Sequence, residues 1–427
     1  MQKIRTSLVI IVFIILAESV MFAGGNPEKR DSPSTISWWT LSTGAGENDP
    51  RSDFNNLIAA EFEELHPDIT INVQPMHVEA FKTEIQKVVQ SGNPPDLFHS
   101  WGGYVMFEFA RQGNLRDITY FVNSTLSKRI NMESLGVYSY AGSFYGAPYD
   151  MGAVVMWYNR SIFDAAGVSV PRSWEDLLSA VSSLKNAGYV PIALGAKDRW
   201  PIHFWWVYLA MRLGGASAIN DAYGGSGSFA DEPFIEAGRK FRELVAMNPF
   251  QDGFENDSYD RQAGLMGDGK AAMELMGQWA PSVAQNNAAT GSAISNLEIF
   301  PFPEVEGGTG LRTDVMGGGN GYILGKDAPD ETLEFLNYFL GESVQLRQAA
   351  SQGIIPVDRE AAARQRGNVA KIAEIISKAG YYQLYFDQFL PLTVGEALND
   401  ASLKLLTGEF SAEQTAAILE SAWQNSK

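Results

Sequence analysis

The chain of 427 residues contains no cysteine. That excludes disulfides, thiolate metal sites, a Cys nucleophile and lipid attachment through an N-terminal cysteine. A chain of this length can bury enough surface to fold without such staples. Histidine is scarce: the four residues at 66, 77, 99 and 203 show no ligand spacing. No D-x-D-x-D-G loop appears either, so neither a metal nor any other cofactor is expected. Positive charge is in deficit, with 32 Lys and Arg against 50 Asp and Glu and a net charge of −18. This argues against nucleic acid and against anionic membrane surfaces as partners. There is no G-x-S-x-G nucleophile elbow, no internal repeat and no low-complexity tract. Near the N-terminus an apolar run, Leu8 to Ala17, covers about half of the roughly 20 residues that a membrane-spanning helix needs. It follows the basic start Met1-Gln2-Lys3-Ile4-Arg5 and precedes the small-residue stretch Phe22-Ala23-Gly24-Gly25. Residues 1–23 therefore read as a secretory signal cut near Ala23. Met21 is a poor fit to an A-x-A cleavage site, so retention as an anchor stays open. Residues 24–35, polar and bearing Pro27 and Pro33, read as a flexible spacer.

Aromatic residues are what the chain has in quantity, among them ten Trp. Trp38-Trp39, Trp101-Gly102-Gly103, Trp200-Pro201, Trp205-Trp206 and Trp279 fall at or near the ends of predicted strands and helices. None sits in a cluster of catalytic residue types. Such rings suit a sugar, whose apolar face stacks on a ring while its hydroxyls need fixed donors and acceptors. Any one Trp taken alone is more easily a core residue. The case rests on where they fall.

The first part of the chain alternates strand and helix. Ile36 to Leu41 reads as a strand ending in a Gly-rich loop at Ser42–Gly46. Apolar residues at 54, 57, 58, 62 and 65 give helical spacing, stopped by His66-Pro67. Ile69, Ile71 and Val73 alternate as a second strand. Phe81, Ile85, Val88 and Val89 share one helical face, broken by Gly92-Asn93-Pro94-Pro95. Asp96 to Ser100 is a third strand, running into Trp101. This order predicts a parallel sheet, in which ligands bind beyond the strand carboxyl ends. Ala147 to Gly152 and Gly317 to Gly321 look like crossings between domains. Ser173 and Asp176 form a capping box that starts a helix whose apolar face includes Trp174. Further helices are predicted over 233–247, 259–267, 331–340, 343–351, 368–379 and 411–424.

One motif is dismissed. Gly264 to Lys270 has the G-x4-G-K phosphate-loop spacing, but Ala271 stands where Ser or Thr should bind magnesium, and no strand precedes it. It reads as a helix end followed by a strand. Paired carboxylates for glycoside hydrolysis stay open, since Asp150, Asp198, Asp314, Asp387 and Glu396 could meet in space.

Several ordered motifs resemble one family. They are Phe62-x-x-x-His66-Pro67-x-Ile69, Gly92-x-x-Pro95-Asp96-Leu97, and the long pattern Tyr158-Asn159-x-x-x-Phe163-x-x-Ala166-Gly167-Val168-x-x-Pro171-x-x-Trp174-Glu175-Asp176-Leu177. Gly269-Lys270-Ala271-Ala272-Met273 with Gly277-x-Trp279 completes the set. Together they resemble the extracellular solute-binding proteins of ABC sugar importers, the maltose-binding-like family. The resemblance implies an α/β, two-lobed periplasmic-binding-protein fold of type II. Each lobe would be a mostly parallel sheet flanked by helices, joined by hinge crossings, with a cleft that closes on its ligand. The implied division is lobe 1 over 36–149, lobe 2 over 150–313, a return to lobe 1 over 314–342, and mainly lobe 2 helices over 343–427.

Trp39 is a candidate ligand contact from its place near a strand end, and the resemblance implies contacts at Trp101, Asp150, Asp198, Trp200, His203, Trp205, Trp279 and Asp387, with no catalytic residue. Gly152 stands where some maltose binders carry a carboxylate, which puts maltose itself in doubt. The implied partners are a small-molecule sugar and the membrane permease subunits, with no nucleic acid, the protein acting as a monomer. The missing Cys departs from lipidated members and implies a soluble protein of the periplasm. A secreted carbohydrate-active enzyme, or the same fold holding a polyamine or peptide, remains open on the sequence alone.

Overall fold

The computed structural model describes residues 33–42, 49–292 and 295–427. The signal assigned to 1–23, most of the spacer and most of the Gly-rich loop lie outside the described residues. The folded unit runs from Ser34 to Lys427.

Its first sheet has five strands in the order Ile69–Met76, Ser34–Leu41, Leu97–Ser100, Gly321–Leu324, Gly146–Pro148. The first three run parallel, in register Trp38↔Val73 and Trp38↔Leu97. The last two are antiparallel additions, with Ile323 opposite Phe98 and Gly146. Alternation along Ser34–Leu41 sends successive side chains to opposite faces. Trp38 is fully buried against Tyr322, Phe335 and Phe339, with ring centroids 4.9–5.4 Å away. Trp39 points the other way and packs, half-buried, with the residues around Phe81 and Phe109. Helices Pro50–Leu65, Val78–Gln90 and Gly103–Arg111 cover the two faces with their apolar stripes.

The second sheet has the order Leu297–Phe300, Val155–Asn159, Ala271–Met276, Val190–Ile192. A mostly parallel arrangement was expected here, and this sheet is instead mixed. Val155–Asn159 enters straight from the crossing and lies antiparallel to both of its neighbours. Only Ala271–Met276 and Val190–Ile192 pair in parallel. The helix Trp174–Asn186 starts with the predicted capping box, in which Asp176 N–H donates to Ser173 Oγ and Ser173 N–H to Asp176 Oδ2, both at 3.1 Å. The helix Trp200–Gly224 is broken at Gly215, where φ is 65°; up to that break it is buried on nearly all sides, and it packs against Glu232–Ala246 and Leu392–Thr407.

Arg212, inside this core, donates to the carbonyls of Phe302, Pro303, Arg312 and Asp314 at 3.0–3.2 Å and lies over the Tyr208 ring. Burial pulls its guanidinium down to about 10, yet it stays charged at neutral pH. A buried cation is tolerated here because backbone dipoles replace its water.

The chain passes between the two cores at 148–152, at 318–321 and again between Arg364, paired with Glu342, and Asn368, bonded to the Leu297 carbonyl. A small sheet of Gly152–Ala153, Val315–Gly318 and Tyr382–Leu384 lies beside the first two crossings. The return to the first core is longer than 314–342. Phe335, Phe339, Val344, Ala349 and Val357 all pack there, and Glu342–Gln352 contacts Pro50–Leu65. The helix Leu392–Thr407, absent from the sequence reading, has no side-chain cap and carries Gly395, Asn399 and Asp400, which weaken a helical pattern.

Candidate functional site

A cleft with a cavity volume of about 120 Å³ lies between the two cores. The first core contributes Ser42 at a strand end, Arg51, His77, Lys82 and Trp101. The second contributes Trp200, Phe204, Tyr259, Asp260, Gln278, Trp279, Tyr385 and Asp387. Tyr149, Asp150 and Asn320 come from the crossings.

The second-core wall is aromatic and continuous. Trp200 meets Tyr259 at 4.9 Å and Phe204 at 5.5 Å. Phe204 stacks on Tyr385 at 5.9 Å, and Tyr385 meets Trp279 edge-on at 6.1 Å. Trp200 and Phe204 share a face because four residues make about one helical turn. Trp279 is half-buried, and its ring folds back over Gly277, where an added Cβ would lie 2.2 Å from Cζ3. That close approach explains the glycine in the Gly-x-Trp motif. Trp101, on the opposite wall, is held edge-on by His99 at 4.5 Å and by Phe81 at 6.1 Å.

Asp150 organises the crossings. Its Oδ1 accepts from Asn320 N–H at 2.7 Å and from Asn320 Nδ2 at 3.0 Å. Its Oδ2 accepts from Asn320 Nδ2 at 3.0 Å and from Gln278 Nε2 at 3.1 Å. Burial pushes its carboxyl up to about 6, against the pull of these donors. Gln278 reaches Asp150 by passing over Gly152, where an added Cβ would fall 1.7 Å from Gln278 Oε1. Across the cleft, His77 Nε2 lies 3.3 Å from Asp260 Oδ2. The Asp260 carboxylate raises the His77 imidazole above its ordinary range.

Of the residues singled out from the sequence, Trp101, Asp150, Trp200, Trp279 and Asp387 line this cleft. Four do not. Trp39 packs with Phe81 and Phe109 on the sheet face opposite Trp38, because strand alternation turns successive side chains apart, and it does not line the cleft. Trp205, 1% exposed, points into the second core against Phe302 at 5.9 Å, since one residue beyond Phe204 is a rotation of about 100°. His203 is wholly buried, with Nδ1 2.8 Å from Asn399 Oδ1, and burial pulls its imidazole down toward the neutral form. Asp198 accepts from Tyr259 N–H at 2.8 Å and so caps the helix that presents Tyr259 and Asp260. Its neighbour Arg199, at φ 64°, pairs with Asp400.

The sequence reading missed Arg51, His77, Lys82, Tyr149, Phe204 and Gln278. Phe204 was legible from its spacing to Trp200, and Gln278 from its place beside Trp279. Arg51, His77 and Lys82 sit in or before the first turns of their helices and Tyr149 at a crossing, and none carries a local signal. Of the remaining carboxylates, Glu396 is exposed and Asp314 binds Leu311 N–H at 2.8 Å, so neither joins the cleft. Among the described residues, no group of three or more His, Asp or Glu is placed to hold a metal ion, and no helix is long and apolar enough to cross a membrane.

Comparison with known proteins places this geometry. The family model of the bacterial extracellular solute-binding proteins matches residues 44–346. A relative from Pyrococcus horikoshii, described as an uncharacterized ABC transporter extracellular-binding protein, is 27% identical over 250 residues. The match covers 57% of this chain and 54% of that one. The chain spans little more than half the length of the curated relatives it matches first. A solved structure from work on xylan utilization by the thermophilic bacterium Caldanaerobius polysaccharolyticus superposes with a TM-score of 0.84 at 24% identity, covering 91% of this chain and 99% of that one. A chitin oligosaccharide binding protein superposes with a TM-score of 0.83 at 19% identity, covering 92% and 98%. These likenesses establish the α/β, two-lobed, type II fold.

Proposed function

The chain belongs to the bacterial extracellular solute-binding proteins, and from that premise we propose that it is the substrate receptor of an ABC sugar importer. It captures a mono- or oligosaccharide between its lobes and delivers it to a membrane permease. The observation that carries this is the aromatic wall Trp200–Phe204–Tyr385–Trp279 facing Trp101 across a cleft with polar groups at its hinge. Flat rings on both walls suit the apolar faces of pyranoses, and Asp387 and the hinge amides suit hydroxyls. The related folds named above are described with xylan utilization and with chitin oligosaccharides, which favours a sugar here too.

Ligand capture works by differential affinity: a sugar touching both walls stabilises the closed arrangement and not the open one. His77 and Asp260 meet across the cleft and add to closure. Binding is favoured over hydrolysis because Asp150 is committed to Asn320 and Gln278 and is not free to act as an acid or nucleophile. A polyamine is disfavoured by Arg51 and Lys82 lining the same cleft. The receptor acts outside the cytoplasm as a monomer, without a Cys-linked lipid.

Thermal shift of the mature chain against mono- and oligosaccharides, polyamines and peptides, with product analysis in the same wells, tests this reading. A ligand at 100 times its Kd should add about 2.7 kcal/mol of stability. A shift for a sugar that is recovered intact is expected. Conversion of that sugar into products, or a shift with polyamine or peptide alone, would overturn the reading.

A further inference from the structure

The charged groups of the cleft are nearly all spoken for. Asp150 accepts four hydrogen bonds within the hinge. Asp260 faces His77 at 3.3 Å, and Lys82 Nζ lies 3.2 Å from Glu79. Asp387 stands 4.0 Å from the buried His203 ring and remains available to hydroxyls. Arg51 is the exception. Among the described residues its side chain forms no ion pair, and its Nε is buried without a hydrogen-bond partner. It occupies the first turn of Pro50–Leu65, where Asp49 caps the helix by accepting from the Arg51 backbone N–H at 3.1 Å and leaves the guanidinium to the cleft.

Unused donors gather in the same place. Trp200 Nε1 and Gln352 Nε2 are buried and unpartnered, in residues 9% and 4% exposed that line the cleft. Both atoms can only donate. The hydroxyl of Tyr385 is unpartnered too and can act either way. Against these donors stands one orphan acceptor in the lining, Gln278 Oε1. Buried polar atoms left unpaired in a folded protein call for a partner. A ligand group rich in acceptors and bearing negative charge meets this surplus, whereas a neutral hydroxyl brings a donor with every acceptor.

We propose that the solute is a sugar bearing an anionic group, a carboxylate or a phosphate, and that Arg51 is the counter-ion for it. This rests on the carbohydrate reading above and narrows it. The guanidinium fork matches either anion with two parallel hydrogen bonds, which a lysine cannot supply. The anionic group sits on the first-lobe wall, and the rest of the ring stacks on the aromatic wall opposite.

Calorimetry with matched ligand sets tests the assignment: neutral hexoses and their short oligomers, the corresponding hexuronates, and hexose phosphates. One acidic series is expected to bind roughly ten- to a hundredfold more tightly than its neutral partner, the range of a charge-assisted hydrogen bond. Whether uronate or phosphate leads identifies the source of the charge. R51Q, checked for folding by circular dichroism, should close that gap, and R51K should restore only part of it. Neutral sugars binding as tightly as both acidic series would overturn the anionic assignment and leave the carbohydrate reading standing. An equal loss for neutral and acidic ligands in R51Q would overturn the counter-ion role. Failure of every sugar, neutral or acidic, to bind would remove the carbohydrate reading itself.

Discussion

Gln278 Nε2 donates to Asp150 Oδ2 across 3.1 Å, and the side chain that makes this bond passes over the bare backbone of Gly152. Gln278 thus ties the second lobe to the first crossing, beside the Tyr382 hydroxyl that donates to the Gly152 carbonyl at 2.6 Å. Replacing Asp150 with Ala strands the Asn320 N–H, the Asn320 amide and Gln278 Nε2 without an acceptor. The expected cost is about 1–3 kcal/mol for each buried donor left unpaired. D150N should be milder, because Gln278 can flip and offer its unpartnered Oε1 to the new amide. Chemical denaturation of both variants checks this ranking; equal losses would mean that the carboxylate, and not the bond pattern, matters. G152A should displace Gln278 and weaken ligand binding more than it weakens the fold.

Two groups of the cleft are expected to firm the structure on acidification, while the buried imidazoles of His99 and His203, held down by desolvation, act the other way below about 6.5. The His77 imidazole is raised by its contact with Asp260 and by the more distant charges of Asp198 and Glu79. A raised histidine contributes fully below its unfolded value of about 6.5 and loses that contribution as pH climbs through the higher folded value. Asp150 is raised to about 6 by burial, so the folded state holds its proton longer than the unfolded chain does. Its contribution declines as pH rises from the ordinary carboxylate range to about 6. Tm measured from pH 5 to 8 at fixed ionic strength should fall on the alkaline side, and D260N should flatten the part above about 6.5. An unchanged slope in D260N would remove the His77–Asp260 contact as its cause.

Two tryptophans of similar motif context should behave in opposite ways. W279A removes a half-buried ring from the cleft wall. It is expected to weaken sugar binding by roughly 2 kcal/mol or more, about thirtyfold, with little change in Tm. W205A empties a core position and should destabilise the fold by about 3–5 kcal/mol. Paired calorimetry and thermal melts separate them; a binding defect confined to W205A would reverse the assignment of the two rings.

Arg212 offers a test of the second core alone. R212M leaves four carbonyls without their donor, so a loss of about 3 kcal/mol or more is expected. The ratio of affinities between any two ligands should stay as in the parent. A changed ratio would show that this core reaches the cleft.

Part of the site was open to reading from the chain and part was not, and the difference has a geometric cause. Trp101 follows a strand directly, and Trp279 follows Gly277 by two residues, so their placement is set by a few local bonds. Up to Gly215 the helix Trp200–Gly224 is buried nearly all round, so its pattern there carries no polar face from which an orientation can be read. Trp200, His203 and Trp205 were equally plausible there, and only packing against Asn399 and Phe302 separates them. Asp198 looked like a ligand contact because a cap formed with Tyr259, 61 residues away, leaves no trace in the local sequence.

The sequence by itself determined the alternation of strand and helix, the capping box at Ser173, the two crossings near Gly152 and Gly318, and the motifs that mark the family. These rest on periodicity, turn chemistry and capping, all of which act over a few neighbouring residues. Tertiary structure alone decided which rings face the cleft, that Asp150 is consumed by the hinge, and that Arg51 lines the cleft with no ion pair among the described residues. Those outcomes depend on which distant side chains arrive to pair with each group, and pairing at long range is settled only when the lobes pack.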